Sequence, residues 1–182
     1  MPHLILASAS PRRREILTAL GVEFEVVVPD VVELEEGEPR EVVLENARRK
    51  AAAVPAGALV LAADTEVVLE GRVLGKAESE PEARSHLEAL SGRTHTVLGG
   101  LVFRTDGGEE RSGVASSEVT FRDLDEATLD LYLASGEWRD RAGAYAIQGL
   151  GSILIERLEG DFSNVVGLPV PLLLELAPEL FG

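Results

Sequence analysis

The chain has 182 residues, 45% of them hydrophobic, and a formal net charge of -15. This length and composition allow one sizeable buried core without metals or cross-links, so we expect a single domain over residues 1–182. The negative charge disfavours non-specific binding to nucleic acid or to an anionic membrane, because like charges repel. The sequence contains no cysteine, and no apolar run approaches the roughly 20 residues of a membrane-spanning helix.

The N-terminal stretch MPHLILASAS is apolar but too short for a signal peptide. Its basic cluster follows the apolar part, whereas in a signal peptide the basic residues come first. Together with the absence of cysteine and of a long apolar run, this order of residues predicts a soluble cytoplasmic protein.

Hydrophobic periodicity, capping residues and turn residues divide the sequence into alternating strands and helices. In chain order, the predicted elements are a strand at 3–7, a helix at 11–20, a strand at 23–28, a helix at 39–54, a strand at 58–64, a hairpin around Glu70 and Gly71, a helix at 79–90, two long strands joined at 106–109, a helix at 125–134, a strand at 152–158 and a C-terminal helix from Leu168. Helices interleaved with antiparallel hairpins predict an α/β fold with a mixed sheet, in one domain whose two lobes flank a central cleft.

The stretch LASASPRRREIL, residues 6–17, places two serines and three arginines at a predicted strand-to-helix turn. Unpaired N–H groups at a helix N-terminus hold phosphate well, and serine and arginine side chains add donors. Arginines there oppose the helix dipole by roughly 0.3 to 1 kcal/mol each, which favours a bound anion over the alternative of a solvated basic turn. At about 100° per residue, Arg12 and Arg13 can turn toward a cleft, whereas Arg14 faces solvent.

Asp64 ends the predicted strand ALVLAAD, a position where open α/β sheets place ligand-facing groups. A carboxylate there can take a proton from water or hold a divalent metal, although it can also merely cap the next turn.

The chain has fifteen arginines but only two lysines, Lys50 and Lys76. Each lysine alone is typical of a solvated surface, yet a compact ammonium is not replaceable by a guanidinium at a phosphate oxygen. Both lysines are therefore candidates for phosphate binding.

Six stretches of the sequence, in this order, resemble the Maf family of nucleoside triphosphate pyrophosphatases: LASASPRRREIL, AADTEVV, LGK, LSGRTHTV, AGAYAIQGLGS and GDFSNVVGLP. The likeness runs from Leu6 to Pro169. It implies hydrolysis of a nucleoside triphosphate to the monophosphate and pyrophosphate with a divalent cation, Mg²⁺ or Mn²⁺. It also implies a two-lobed fold similar to inosine triphosphate pyrophosphatases, and a homodimer.

The same resemblance implies roles for individual residues. One set would hold the triphosphate: Ser8, Arg12, Arg13, Lys50 and Lys76. Asp64 and Glu33 would hold the metal and the attacking water, with Asp64 as general base and the two lysines completing the catalytic set. Glu33 is carried over with an open register, because the loop 30–38 contains five acidic residues. One departure is Ala77, where the family commonly has proline, so this loop is expected to be less rigid.

Within the family, AGAYAIQG and VVGLP resemble the branch that acts on dTTP and UTP. Gln148, with Arg12 and Thr65, matches the positions that set substrate specificity. The amide of Gln148 can offer a donor and an acceptor to the edge of a pyrimidine. Three alternatives stay open: action on a purine nucleotide such as 7-methyl-GTP, a nucleotide-binding regulator of cell division without turnover, and binding to nucleic acid, which the charge of -15 disfavours.

Overall fold

The computed structural model describes residues 3–182, so Met1 and Pro2 of the predicted domain lie outside the described residues. Its strands are β1 (Leu4–Ala7), β2 (Phe24–Val27), β3 (Leu59–Leu69), β4 (Arg72–Leu74), β5 (Thr94–Arg104), β6 (Glu110–Phe121) and β7 (Ile155–Glu159). Its α-helices are α1 (Pro11–Ala19), α2 (Pro39–Ala52), α3 (Glu80–Leu90), α4 (Glu126–Ser135), α5 (Phe162–Val166) and α6 (Val170–Leu176). Two 3-10 helices cover Gly149–Leu154 and Pro178–Leu180.

All seven strands form one sheet in the order β2-β1-β3-β5-β6-β7, with β4 paired to β3. β1 runs parallel to both of its neighbours, because α1 and α2 connect the strands of this half as crossovers. The remaining pairs are antiparallel and include two hairpins, β3 with β4 and β5 with β6. The predicted mixed α/β sheet is confirmed.

Buried apolar side chains form separate cores on the two sides of a cleft. One core packs β1, α1 and α6 together, and a second lies among α3, α4 and β6. The long strands belong to both: β3 contributes Leu61 to the first core and Val67 to the second, and β5 contributes Phe103 and Val97 in the same way. The cleft between them has a volume of about 1500 Å³, so the expected two lobes and central cleft are confirmed.

The prediction that a strand ends at Asp64 is wrong, because β3 continues to Leu69. Its antiparallel partner β5 pairs with it without interruption from Val60 to Val68. The ladder therefore carries the polar residues Asp64, Thr65 and Glu66 through the middle of an eleven-residue strand. The first arm of the predicted hairpin around Glu70 is the second half of this same strand.

Two predictions near the C-terminus also need correction. The strand expected at 152–158 begins only at Ile155, because residues 149–154 close into a 3-10 helix. The helix expected from Leu168 begins at Val170, and the separate short helix α5 precedes it. α5 forms because the Asp161 side chain accepts a hydrogen bond from Ser163 N, and it ends at Gly167, whose φ is 139°.

The helices in the described part of the chain are all too short or too polar to cross a membrane.

Candidate active site

The cleft brings together the nine residues that the sequence predicted for the site: Ser8, Arg12, Arg13, Glu33, Lys50, Asp64, Thr65, Lys76 and Gln148. Two of them lie in the first turn of α1, Lys50 lies on α2, and two lie in the middle of β3. The other four lie in loops: Ser8 after β1, Glu33 after β2, Lys76 after β4 and Gln148 after α4. Their positions in one cleft are now observed, whereas their individual roles stay predictions. Among the polar residues that line or support this cleft, sequence reasoning missed Asn46, Glu66, Arg139 and Arg141.

The central polar residues of β3 point to alternating sides of the sheet. Val60 and Ala62 face α2, where they pack with its buried alanines. Because side chains alternate along a strand, Asp64 and Glu66 lie on this same side, and Thr65 lies on the other. Along this side of β3, the apolar residues Val60 and Ala62 are therefore followed by Asp64 and Glu66, which lie in the cleft between the two cores.

A buried lysine joins two carboxylates in the cleft. Lys50 Nζ lies 2.7 Å from Asp64 Oδ1 and 3.0 Å from Glu33 Oε1. Lys50 and Asp64 are both buried, with exposed fractions of 8% and 5%, whereas Glu33 is exposed. Taking either charge from water alone is costly, and the close contact between the two side chains offsets that cost.

Asn46 holds the second oxygen of the catalytic candidate Asp64 and fixes the adjoining loop. Its Nδ2 lies 3.4 Å from Asp64 Oδ2 and donates to the backbone oxygen of Leu34 at 3.0 Å. Its Oδ1 accepts from Leu34 N at 2.7 Å. One amide therefore ties β3 to the loop that carries Glu33. The sequence did contain a sign that Asn46 belongs to the site: it is one of only two asparagines, and it precedes Lys50 by one helical turn.

Arg13 is buried and braces the strand-to-helix turn. Its guanidinium donates to Gly167 O at 2.8 Å, to Ser8 Oγ at 3.0 Å and to Thr65 Oγ1 at 3.1 Å. Burial lowers its pKa from the ordinary value, and the nearby carboxylate of Asp64 opposes that shift. These contacts fix α1 against β3 and the end of α5, and leave the charge of Arg13 directed toward the cleft.

Several cations gather at the mouth of the cleft. Arg12 Nη2 lies 3.4 Å from Asp140 O, and its pKa is lowered to about 10 by burial and by repulsion from Arg141 and Arg13. Lys76 pairs through its backbone with Ala142, which brings the lysine beside the same segment. Because a pKa of about 10 leaves Arg12 charged at neutral pH, this wall favours a polyanion despite the acidic composition of the chain.

Gln148 lies on the cleft wall at the start of a 3-10 helix. It occupies the N-cap position of the helix Gly149–Leu154 and is exposed to the cleft. Within the described residues, its side chain makes no capping hydrogen bond. The amide is therefore available to a ligand in the cleft.

Sequence comparison identifies the family. The profile of a family described as Maf-like protein matches residues 3–180. The chain belongs to the Maf-like protein family. The family expected from the six sequence stretches is thus confirmed.

Relatives match this Maf-like protein over nearly its whole length. A Deinococcus radiodurans protein named dTTP/UTP pyrophosphatase is 49% identical over 179 residues, which cover 96% of this chain and 91% of that protein. A Pyrococcus abyssi protein of the same name is 46% identical, with coverage of 95% and 94%. Among solved structures, a nucleoside-triphosphatase / dITP/XTP pyrophosphatase from Mycobacterium abscessus has a TM-score of 0.44 and 19% identity, over 67% of this chain and 75% of that chain.

The carboxylates of this Maf-like protein suit a divalent cation. Asp64 and Glu33 supply oxygen donors, and each places one oxygen on the ammonium of Lys50, so a cation would bind the carboxylate oxygens that Lys50 does not occupy. Across residues 3–182, no three histidine or acidic side chains are grouped to hold a metal ion by themselves. Two carboxylates nevertheless fit Mg²⁺, which usually completes its coordination with waters and substrate phosphates.

Glu66 is an acidic residue of the site that the sequence analysis did not predict. Its pKa is raised to about 8 by burial and by the nearby carboxylates of Asp64 and Glu33, against the attraction of Lys50 and Lys76. The signal for it was the period of two along a strand, which places residue 66 on the same side as residue 64. Glu66 therefore adds a third, strongly perturbed carboxyl group to this side of the cleft.

Replacing Glu66 with glutamine should stabilise the metal-free protein increasingly as the pH rises. The folded-state pKa of about 8 lies above the ordinary 4.5, so ionisation of Glu66 costs stability as the pH increases between these two values. Glutamine does not ionise and avoids this cost. Differential scanning fluorimetry in EDTA should show a gain in Tm at about pH 9 that is largely absent at about pH 4.

The exposed Glu118→Gln variant on β6 is a matched control for this experiment, since it removes a carboxyl group from the protein surface. Its Tm difference from the wild type should change little over the same pH range. An equal gain for Glu66→Gln at both pH values would mean that the residue does not carry the raised pKa.

Proposed function

We propose that this Maf-like protein hydrolyses dTTP and UTP to the nucleoside monophosphate and pyrophosphate. The observation that carries the proposal is the buried Asp64, held by Lys50 and Asn46 on one side of a cleft whose mouth is lined with cations. Relatives at 46% and 49% identity bear the name dTTP/UTP pyrophosphatase. The chain is thus a hydrolase of nucleoside triphosphates, and its preference for pyrimidines follows from the cleft wall that carries Gln148.

In the proposed reaction, Asp64 orients a water molecule and takes its proton as that water attacks the α-phosphorus. A bond forms between the water oxygen and the α-phosphorus, and the bond from that phosphorus to the bridging oxygen of the β-phosphate breaks. Pyrophosphate leaves with the bonding electron pair. Lys50 holds Asp64 in place, since its ammonium lies 2.7 Å from the carboxylate.

The cations of the cleft would neutralise the charge of the triphosphate. Arg12 and Lys76 lie at the mouth, where the leaving pyrophosphate would depart, and Arg13 lies deeper beside Ser8 and Thr65. Phosphoryl transfer depends mostly on positioning and charge neutralisation, so such a wall can supply much of the catalysis. A divalent cation held by Asp64 and Glu33 would add Lewis-acid polarisation of a phosphoryl oxygen.

A panel of UTP, dTTP, CTP, GTP and 7-methyl-GTP, with Mg²⁺ omitted and then restored, tests the proposed activity. We expect pyrophosphate and monophosphate in equal amounts from UTP and dTTP, only when the cation is present. Release of orthophosphate and a nucleoside diphosphate would contradict attack at the α-phosphorus. Preferential turnover of 7-methyl-GTP would contradict the pyrimidine assignment.

Replacing Gln148 with glutamate should lower the preference for UTP over CTP roughly 10- to 100-fold. Uracil presents O4 as an acceptor, whereas cytosine presents an N4 amino donor at the same place. A carboxylate can only accept, so it opposes uracil O4 and suits the cytosine amino group. The measurement is the ratio of kcat/KM for the two nucleotides. Ala134→Glu, which adds the same charge on the exposed surface of α4, should leave the ratio unchanged.

The homodimer that the resemblance implies stays a prediction, as do the cytoplasmic location predicted from the sequence and a link to cell division. Light scattering of the purified protein would test the dimer, with a mass near twice the 19.4 kDa of one chain as the expected result. A mass of one chain at micromolar concentration would contradict it.

A further inference from the structure

We infer that Glu137 is a positioning residue for Gln148, and that it sets base selectivity by holding the turn on which Gln148 lies. The inference rests on the proposed role of Gln148. It concerns a glutamate that follows α4 and accepts hydrogen bonds from two backbone N–H groups of this turn.

The Glu137 carboxylate caps the 3-10 helix that begins after Gln148. Its Oε1 accepts from Leu150 N and its Oε2 accepts from Gly151 N, both at 3.2 Å. The first N–H groups of a helical turn have no partner within the turn itself and need an outside acceptor. An N-cap side chain normally supplies that acceptor, but here Glu137 does so in place of Gln148. Because Glu137 caps the turn, the Gln148 amide is free to contact the base.

The turn has little room to shift. Gly149 has a φ of +62°, a conformation that other residues adopt only with strain. A side chain at Gly151 would collide with the carbonyl oxygen of Ala146, so the backbone of the turn passes directly over the preceding segment. A change at residues 150 and 151 is therefore transmitted to residue 148 rather than absorbed.

The segment before Gln148 is also held from α4. The Tyr132 hydroxyl accepts from Ala146 N at 3.1 Å, and Tyr132 is fully buried. Gln148 thus lies between two anchored segments. Tyr132 holds residue 146 on one side of it, and Glu137 holds residues 150 and 151 on the other. Because a helix is a rigid support, the position of the Gln148 backbone follows α4 and the turn after it.

Loosening this turn should affect selectivity more than chemistry. Asp64 and Lys50 lie on β3 and α2, whereas the contacts of Glu137 described above lie within residues 137–151. The Gln148 amide sits on a flexible side chain, so the length and angle of its hydrogen bond to the base depend on where its backbone is held. Removal of the Glu137 carboxylate therefore gives a less discriminating, still active enzyme.

A double-mutant cycle of Glu137→Ala and Gln148→Ala tests the inference, with the kcat/KM ratio for UTP over CTP as readout. We expect Glu137→Ala to lower the ratio about tenfold, the effect of one misaligned hydrogen bond, with kcat for UTP changed less than about threefold. In the Gln148→Ala background, adding Glu137→Ala should change the ratio less than about twofold. Glu137→Gln, which retains one acceptor oxygen, should give an intermediate ratio and provides a milder variant if Glu137→Ala folds poorly.

The matched control is Asp125→Ala, which removes the N-cap carboxylate of α4 from its bond to Thr128 N and destabilises the same helix from its other end. It should lower Tm without changing the ratio. A wild-type ratio in both Glu137 variants, or a further loss in the Gln148→Ala background, would overturn the inference and leave the role of Gln148 standing. An unchanged ratio in Gln148→Ala alone would instead refute that role, and the inference with it.

Discussion

Replacing Asp64 with asparagine is expected to lower kcat for UTP about 10²- to 10⁴-fold, the usual contribution of a positioned general base. Asparagine has nearly the same shape but only one acceptor oxygen, so it can accept from Lys50 or from Asn46, which donate to separate carboxylate oxygens at 2.7 Å and 3.4 Å in the wild type. It lacks the negative charge that accepts the proton from water. The measurement is pyrophosphate release under single-turnover and steady-state conditions, so that chemistry is separated from product release.

Asp106→Asn, at the exposed turn between β5 and β6, is a suitable control because its side chain accepts only from the neighbouring Gly107 N in the described structure. It should retain wild-type turnover. Circular dichroism and Tm should show that the Asp64→Asn protein remains folded. Near-normal single-turnover rates in Asp64→Asn would exclude Asp64 as the base.

Replacing Lys50 with methionine is expected to lower kcat/KM for UTP about 10²- to 10³-fold, as with other charged contacts to the reacting groups. The ammonium lies between the carboxylates of Asp64 and Glu33, so its loss leaves two negative charges facing each other beside an incoming triphosphate. Lys50→Arg should restore little activity, because a planar guanidinium is larger and cannot occupy the same buried point between two oxygens.

Arg48→Met is the matched control for Lys50→Met. Arg48 lies on the same helix but pairs with Glu110 and Ser112 on β6, so its removal should leave kcat/KM within about twofold of the wild type. Urea denaturation of the Lys50 variants would report any accompanying loss of stability. Wild-type kcat/KM in Lys50→Arg would show that any cation suffices at this position, contrary to the proposed requirement for a compact ammonium.

Helices α1 to α4 were predicted well because their signals are local. Ser79 caps α3 by accepting from Glu82 N, and Asp125 caps α4 by accepting from Thr128 N. Gly136 ends α4 with a φ of 72°. Each of these signals acts over about one helical turn, so it can be read from neighbouring letters of the sequence.

The strand through Asp64 was predicted less well because its extent depends on a distant partner. The polar triplet DTE looks like a strand end when read locally. In the structure, Asp64 pairs with Gly100 and Thr65 with Gly99, and hydrogen bonding to β5 continues past the triplet. β3 passes from one core to the other, and its centre is polar because it lines the cleft between them. This position becomes clear only once the order of the strands in the sheet is known.

The sequence by itself determined the α/β class, most helix boundaries, the family and the nine residues that the cleft collects. It did so because capping, periodicity and family-specific stretches are recorded in neighbouring residues. The tertiary structure alone decided that Lys50 lies between two carboxylates, that Arg13 reaches Gly167 across 154 positions of sequence, and that Glu137 holds the turn after Gln148. These contacts depend on which strands and loops become neighbours, which long-range packing determines and local pattern does not.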